Sequence, residues 1–268
     1  MDFKDKVVLI TGGSSGIGLS AAIKFAQAGA KVAILSRNEK KLENAVAEIM
    51  KLAPNNKNVI SISCDTRDEK GVISAFKRII ESFGRLDIIV NNAGTARSAK
   101  VEDTSLDLWR EMLDIHCTGY FLVAREAVRI FIDQGDGGVM VFVASDNAIR
   151  PSKDFVAYNT AKAGVLHMAR SIAEECGHYG IRVNSILPGS TFGRSSLWTT
   201  EFVEERAKTH GFNPKQIEDE YKKNTALGVV IDSDEVADVI LFLASNKSLK
   251  MTGAVLSIDG GGKGGYVR

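Results

Sequence analysis

The sequence predicts a doubly wound α/β fold, with one parallel sheet of about seven strands and helices on both of its faces. Three observations support this prediction. Seven short runs rich in Val and Ile nearly lack polar alternation, as strands buried on both faces do. Segments of helical periodicity separate these runs in strict order, and a glycine-rich turn follows the first of them.

The predicted strands are the apolar runs at residues 6–11, 31–36, 58–63, 86–91, 138–145, 181–187 and 253–259. After the first run, apolar side chains recur at steps of four, four and three: Ile17, Ala21, Phe25 and Ala28. This spacing predicts a helix with one apolar face. Because parallel strands need crossovers that return over the sheet, such helices should cover both faces.

Residues 190–225 interrupt this alternation with a long polar and aromatic insertion between the sixth strand and the last helix. Insertions of that length in a compact domain are usually functional lids or mobile loops. The chain has no repeat and no linker rich in Pro or Gly. We therefore expect one domain over residues 1–268, with a substrate loop at about 190–225.

The composition narrows the classes of partner. Lys and Arg number 34 against 33 Asp and Glu, so a net charge of +1 provides no long-range field for nucleic acid or an anionic membrane. No apolar run approaches the roughly 20 residues of a membrane span, which predicts a cytoplasmic protein. The three cysteines lack metal-ligand spacing, so neither a disulfide framework nor a metal site is expected.

The stretch TGGSSGIG at residues 11–18 lies between the first predicted strand and the first helix. Ligands of open parallel sheets bind beyond the carboxyl ends of the strands. Glycines let the main chain approach a phosphate, and the helix start directs N–H groups and a positive dipole end at it. We predict a pyrophosphate site formed by Gly12, Ser14, Ser15, Gly16, Ile17 and Gly18. The spacing is one residue longer than GxGxxG, and a simple tight turn is the alternative.

Further motifs follow in order along the chain. They are Thr-Gly-x3-Gly-x-Gly at 11–18, NNAG at 91–94, Ser145, Tyr158-x3-Lys162, RVNSILPG at 182–189 and TGAVLSIDGG at 252–261. Together they resemble the short-chain dehydrogenase/reductase family over essentially the whole chain. The resemblance implies a Rossmann fold that binds NAD or NADP and moves a hydride between nicotinamide and an alcohol or carbonyl. It also implies cofactor contacts from Asp65, Thr66, Asn92, Ala93, Gly94, Tyr158, Lys162, Pro188, Gly189 and Thr191.

The candidate catalytic residues are Ser145, Tyr158 and Lys162. Tyr158 and Lys162 are four residues apart and lie on one helix face, although an amphipathic helix with a solvated lysine would show the same spacing. A free phenol, with a pKa of about 10, is a poor base at neutral pH, and a nearby ammonium group lowers that pKa. We expect Lys162 to act so on Tyr158 and, by resemblance, to hold the nicotinamide ribose. Ser145 would hydrogen-bond the substrate oxygen.

His116, in DIHCTG, departs from the family pattern, which usually has an asparagine there that shapes a helix kink and holds a water of the proton relay. One interpretation is a packed histidine that donates to a neighbouring carbonyl. The other is a catalytic His116 that relays protons from Lys162 to solvent, with turnover sensitive to pH in its titration range. Both remain open at this point.

The end of the second strand reads ILSRN, with Ser36 followed by Arg37. NAD-specific Rossmann domains carry an acidic residue there, which binds the ribose hydroxyls and repels a 2′-phosphate. This chain has none at that position, and a guanidinium pairs well with phosphate. We predict a preference for NADP, with NAD possible. The alternative is a solvent-facing Arg37 and loose specificity.

Several aromatic and basic side chains are candidates for contacts with the substrate. Trp198, Phe192 and Phe202 are candidates for an apolar wall. Candidates to receive hydroxyls or an anion, unless they only form a solvated rim, are Arg97, Arg150, Lys153 and Arg194. The second half of the chain also resembles the dehydrogenase portion of rhamnulose-phosphate aldolase/alcohol dehydrogenase fusions, which implies a sugar, polyol or small hydroxy-aldehyde. The alternatives are a 3-oxoacyl thioester reductase and a cofactor-sensing protein without turnover.

The helices predicted at about 103–134 and 155–178 are apolar over more than one face. Examples are Val165, Leu166, Met168, Ala169, Ile172 and Ala173. Such helices suggest a partner subunit, and the family resemblance implies a homotetramer or homodimer. Burial beneath the long loop is the alternative.

Overall fold

A computed structural model of the chain describes residues 1–262 apart from 55, 57 and 196. In these residues the strands are β1 Val7–Thr11, β2 Lys31–Ser36, β3 Val59–Ser63, β4 Ile88–Asn91, β5 Gly138–Val143, β6 Ile181–Pro188, β7 Thr191–Phe192, β8 Ile231–Asp232 and β9 Val255–Ile258. Seven of them form one sheet in the order β3-β2-β1-β4-β5-β6-β9. Every pair in it is parallel, which confirms the predicted doubly wound Rossmann fold.

Helices cover both faces of this sheet. They are α1 Gly16–Gln27, α2 Glu39–Leu52, α3 Glu69–Phe83, α4 Leu106–Leu113, α5 Gly119–Gln134, α6 Val156–Cys176, α7 Thr200–His210, α8 Ile217–Lys222 and α9 Ser233–Ala244. Successive strand residues point to opposite faces, so Val8 and Ile10 join the core beneath α1, α2 and α9. Val7 and Leu9 join the core beneath α3, α5 and α6. The continuous apolar runs reflect this burial on two sides.

The predicted loop at 190–225 is partly ordered into secondary structure. β7 and β8 pair in parallel, and α7 and α8 lie between them along the chain. Thr199 caps α7 by accepting a hydrogen bond from the Phe202 amide. The polar composition hid these helices, because neither has a continuous apolar face, and Tyr221 of α8 instead contacts the rings of Phe192 and Trp198.

The apolar residues of α6 give little evidence for a partner subunit. Val165, Leu166, Ala169 and Ala173 are buried within the subunit's own core, whereas Met168 and Ile172 are only partly buried, and the oligomeric state stays a prediction. Large apolar side chains that are exposed lie instead on α4 and α5, at Leu106 and Phe121 among others. In the described residues, no helix has the length and apolar character needed to cross a membrane. Cys64, Cys117 and Cys176 are all free thiols.

Candidate active site

A cavity of about 970 Å³ opens at the carboxyl ends of the sheet strands, around the point where strand order reverses between β1 and β4. The predicted catalytic residues Ser145, Tyr158, Lys162 and His116 all line it. It is also lined by the predicted cofactor residues Gly12, Ser14, Ser15, Gly16, Ile17, Ser36, Arg37, Asp65, Thr66, Asn92, Ala93, Gly94, Pro188, Gly189 and Thr191. Gly18 does not line it, and its cofactor contact stays a prediction.

The glycine loop fits a diphosphate. Gly12 and Gly16 have φ angles of +67° and +54°, a region that favours glycine. A Cβ on Gly12 would lie 2.9 Å from Asn92 Nδ2, and one on Gly18 would lie 2.4 Å from the Gly12 carbonyl oxygen. Gly18 therefore allows α1 to pack closely against the loop. The structure describes every residue in the first turn of α1, and none of them has an acidic side chain that would repel an anion.

The turn after β4 is fixed to the end of β1 by hydrogen bonds. The Thr11 hydroxyl accepts from the amides of Asn92 and Ala93, both at 2.9 Å, and donates to Asn91 Oδ1 at 3.3 Å. Asn92 Nδ2 donates to the Thr11 carbonyl at 2.9 Å. Thr11 is fully buried, so these bonds are shielded from water and hold the two loops at the switch point together.

The end of the cavity at β2 and β3 is polar and partly basic. Ser14 Oγ donates to Ser36 Oγ at 2.9 Å, and Arg37 and Lys41 line the cavity beside them. Asp65 binds Arg67 through both carboxylate oxygens, and its pKa is lowered mainly by the hydrogen bond with Arg67. Both carboxylate oxygens of Asp65 thus accept hydrogen bonds from Arg67 in the same turn.

Ser145, Tyr158 and Lys162 come together from two elements. Ser145 follows β5 and caps a short turn, accepting from the Asn147 amide and donating to Asp146 Oδ1 at 3.1 Å. Tyr158 and Lys162 lie in the first two turns of α6, with the lysine Nζ 5.8 Å from the phenol ring centroid. Lys162 Nζ donates to the Val143 carbonyl at 3.0 Å, which fixes the buried ammonium group at the end of β5.

Burial controls the titration of this pair. It raises the pKa of Tyr158 to about 12, and the hydrogen bond with Ser145 opposes that rise. It lowers the pKa of Lys162 to about 7. The expected lowering of the Tyr158 pKa by Lys162 is therefore not found in the chain alone. The reason is that desolvation disfavours the charged form of both groups.

His116 lies in a π-helical turn, Asp114–Thr118, between α4 and α5. Its ring is fully buried and meets the Tyr158 ring edge-on, with centroids 5.4 Å apart. Nε2 donates to the Thr95 carbonyl at 2.8 Å, while Nδ1 is buried without a hydrogen-bond partner in the described part of the chain. A Cβ on Gly94 would lie 2.6 Å from the ring, so the glycine of NNAG makes room for it.

Burial, followed by repulsion from Lys162, holds the pKa of His116 well below its usual range. The ring is therefore neutral near pH 7, which removes the titration that the proton-relay hypothesis needs. The geometry fits the packed interpretation, in which the ring donates to a carbonyl. A catalytic role for His116 stays a hypothesis.

The cations predicted near the substrate are mostly paired. Arg97 binds Glu111, and Arg194 binds both Glu48 and Asp234. Arg150 lines the cavity and binds Asp146 at 2.5 Å. Lys153 does not line the cavity.

Two of the three residues predicted for the apolar wall line the cavity, and Phe192 does not. Phe192 and Trp198 stack with centroids 4.3 Å apart, and Trp198 and Phe202 line the cavity. Tyr221 and Arg206, which were not predicted from the sequence, also line the cavity. Phe202 and Arg206 are four residues apart on α7, and that spacing was the available signal.

The chain is similar in sequence to a known enzyme family. A family model described as Enoyl-(Acyl carrier protein) reductase matches residues 12–263. The chain belongs to the short-chain dehydrogenase/reductase family. It aligns in full with YuxG, an uncharacterized oxidoreductase of Bacillus subtilis, at 41% identity over 267 residues, and spans 39% of that protein's length.

Two solved structures of this dehydrogenase/reductase family are similar over nearly the whole chain. NAD+-bound xylitol dehydrogenase has a TM-score of 0.89 at 29% identity. The alignment covers 97% of this chain and 100% of the xylitol dehydrogenase chain. L-sorbose reductase from Gluconobacter frateurii, complexed with NADPH and L-sorbose, has a TM-score of 0.88 at 28% identity, with 97% of both chains covered. The chain is thus an oxidoreductase of a family that uses nicotinamide cofactors, and its relatives include users of either one.

We expect His116→Asn to keep most activity, because an asparagine amide can also donate to the Thr95 carbonyl. Lys162→Ala should lower kcat/KM by about 100-fold or more, since it removes a group of the proton-transfer site. Steady-state kinetics with the best alcohol would compare the two variants. An asparagine variant as inactive as Lys162→Ala would show that the histidine has a distinct role.

Proposed function

We propose that this short-chain dehydrogenase/reductase interconverts a secondary alcohol and a carbonyl on a sugar, polyol or small hydroxy-carbonyl compound, with NADP preferred over NAD. The observation that carries the proposal is the meeting of Ser145, Tyr158 and Lys162 in one cavity with the glycine loop. The names of the xylitol and sorbose enzymes support the substrate class. The resemblance to rhamnulose-phosphate aldolase fusions points the same way and stays a prediction.

The residues present fit a dinucleotide. Its diphosphate would be held by Gly12, Gly16 and the amides that begin α1, and its nicotinamide end by residues near Lys162 and Gly189. When bound, the oxidised cofactor accepts the hydride and brings positive charge into the cavity. Tyr158 would take the proton from the substrate hydroxyl or return it to the alkoxide.

The neighbours of Tyr158 would orient the substrate and the proton. Ser145 now donates its single hydroxyl proton to Asp146 Oδ1, and it would redirect that hydrogen bond to the substrate oxygen when substrate binds. Lys162, with a pKa of about 7, is able to hold or release a proton near neutral pH. Trp198 and Phe202 would restrict water on the open side.

We expect Tyr158→Phe to lower kcat with the best alcohol by about 100-fold or more, because the variant has no proton donor or acceptor at the substrate oxygen. Cofactor binding should persist. The matched control is Tyr179→Phe, which removes the same hydroxyl from an exposed turn outside the cavity. A Tyr158→Phe enzyme as active as this control would end the proposal.

The preference for NADP is supported by the basic end of the cavity. Residues 36–38 are Ser, Arg and Asn, so no carboxylate at the end of β2 repels a 2′-phosphate. Arg37 and Lys41 both line the cavity there.

Arg37→Ala should reduce the ratio of kcat/KM for NADP to that for NAD by about tenfold or more, the value of one charge-assisted hydrogen bond. Lys40→Ala removes a neighbouring exposed cation that does not line the cavity, and it should leave the ratio unchanged. If the Arg37 variant keeps the wild-type ratio, Arg37 does not select the cofactor.

A second candidate is the reduction of 3-oxoacyl thioesters. The description of the matching family model shares with it only the acyl thioester, because an enoyl reductase acts on a carbon–carbon double bond. A panel of sugars, polyols and acetoacetyl thioesters, read at the absorbance of reduced nicotinamide with both cofactors, separates the two functions. A sensor without turnover is disfavoured, because Ser145, Tyr158 and Lys162 are all present. The homo-oligomeric state and the cytoplasmic location stay predictions.

A further inference from the structure

Arg206 is a buried cation in the wall of the candidate active site. Its residue exposure is 5%, and it lines the same cavity as Tyr158. A guanidinium stays protonated in proteins, and a buried charge normally needs an opposite charge or a full set of hydrogen bonds. The surroundings of Arg206 therefore show what the site is built to receive.

Those surroundings compensate the charge only in part. Nε donates to the Tyr221 hydroxyl at 3.0 Å, and the guanidinium carbon lies 4.8 Å from the Phe155 ring centroid. Nη1 is buried and has no hydrogen-bond partner among the described residues. None of the ion pairs found in that part of the chain includes Arg206, whereas Arg150, the other arginine near the substrate side, binds Asp146.

The position of Arg206 suits recognition of a substrate rather than of the cofactor. Its guanidinium and the Tyr158 ring both pack on Phe155, whose centroid is 5.8 Å from that of Tyr158. The guanidinium carbon thus lies within about 10.6 Å of the Tyr158 ring, the sum of these two distances. Its neighbours Tyr221 and Phe202 belong to the 190–225 insertion, far along the chain from the glycine loop.

We propose that Arg206 binds a carboxylate on the substrate, so that the preferred substrate is a short hydroxy acid or oxo acid. One uncompensated positive charge matches the single negative charge of a carboxylate, and the unpartnered Nη1 provides a donor for it. The aromatic side chains around it exclude water and strengthen that attraction. The inference rests on the proposed function in one respect, namely that the bound acid is also the compound that reacts at Tyr158.

The test measures binding without turnover. A hydroxy acid and reduced cofactor cannot react with each other, so their ternary complex with the enzyme reports affinity alone. Three compounds would be titrated into the enzyme with NADPH. They are the acid 3-hydroxybutyrate, its neutral amide 3-hydroxybutyramide, and glycerol 3-phosphate, which tests for a phosphate in place of the carboxylate. Isothermal titration calorimetry gives Kd. Kinetics with the same compounds and NADP follow.

We expect the wild-type enzyme to bind the acid about 30-fold or more tightly than its amide, as for a buried charge pair. Arg206→Met should abolish that difference, while Arg206→Lys should retain part of it. Lys208→Met removes an equal charge from the exposed face of α7 and should change neither Kd. The wild-type comparison needs no variant, so misfolding of Arg206→Met would not prevent a decision.

Equal binding of acid and amide to the wild-type enzyme would overturn the inference, as would a preference for the phosphate. So would equal weakening of both ligands by Arg206→Met, which indicates a structural role. Preference for the acid without turnover of any alcohol would contradict the proposed function while supporting the carboxylate site. Rapid turnover of neutral polyols without preference for the acid would support the proposed function and contradict the carboxylate site.

Discussion

The reversal of strand order between β1 and β4 is the constraint on which the site depends. Because helices leave these two strands toward opposite faces, their loops separate and leave a cleft above the sheet. The fully buried Thr11 holds the two loops together across that reversal. The glycine loop, the NNAG turn, Ser145 and Gly189 all lie at strand ends around this one point.

Burial then determines the chemistry of the groups placed there. Tyr158 and Lys162 are both driven toward their neutral forms, and His116 stays neutral beside them. Asp146 and Arg150 neutralise each other. Positive charge brought by a bound cofactor would enter a cavity in which an ionised phenol is costly, and it would favour that phenolate. The charges of the site are thus set by solvent exclusion as much as by pairing.

The elements that the sequence predicted well are those with local signals. Residues 31–36 were predicted as a strand and are β2, because a strand buried on both faces has a continuous apolar pattern. Gly12, Tyr158 and Lys162 were predicted through motif spacing, and they line one cavity. The close packing of Gly18 against Gly12 was not predicted, since a glycine for close packing and one for ligand contact are the same residue in the sequence.

The features that the sequence did not reveal depend on contacts between distant residues. Tyr221 of α8 contacts the Trp198 ring, which lies 23 positions earlier in the sequence. Arg206 was missed because its burial comes from Phe155, which lies 51 positions earlier in the sequence. The pKa of Lys162 depends on desolvation by the whole fold, so the spacing of Tyr158 and Lys162 alone suggested an attraction that burial outweighs.

The placement of the cofactor where strand order reverses is tested most directly by two variants, Gly12→Ala and Gly84→Ala. Their affinities for reduced cofactor are compared. Both glycines have positive φ, +67° and +80°, so the backbone strain of each alanine should cost about 1–2 kcal/mol of stability, to which the close approach to Asn92 and Ala93 adds at Gly12. Only Gly12 lines the cavity, where a Cβ would press on Asn92. Fluorescence titration with NADPH and NADH should show about tenfold or more weaker binding for Gly12→Ala alone, the loss of about one hydrogen bond to charge. Equal affinities in two folded variants would contradict the placement of the cofactor at the switch point.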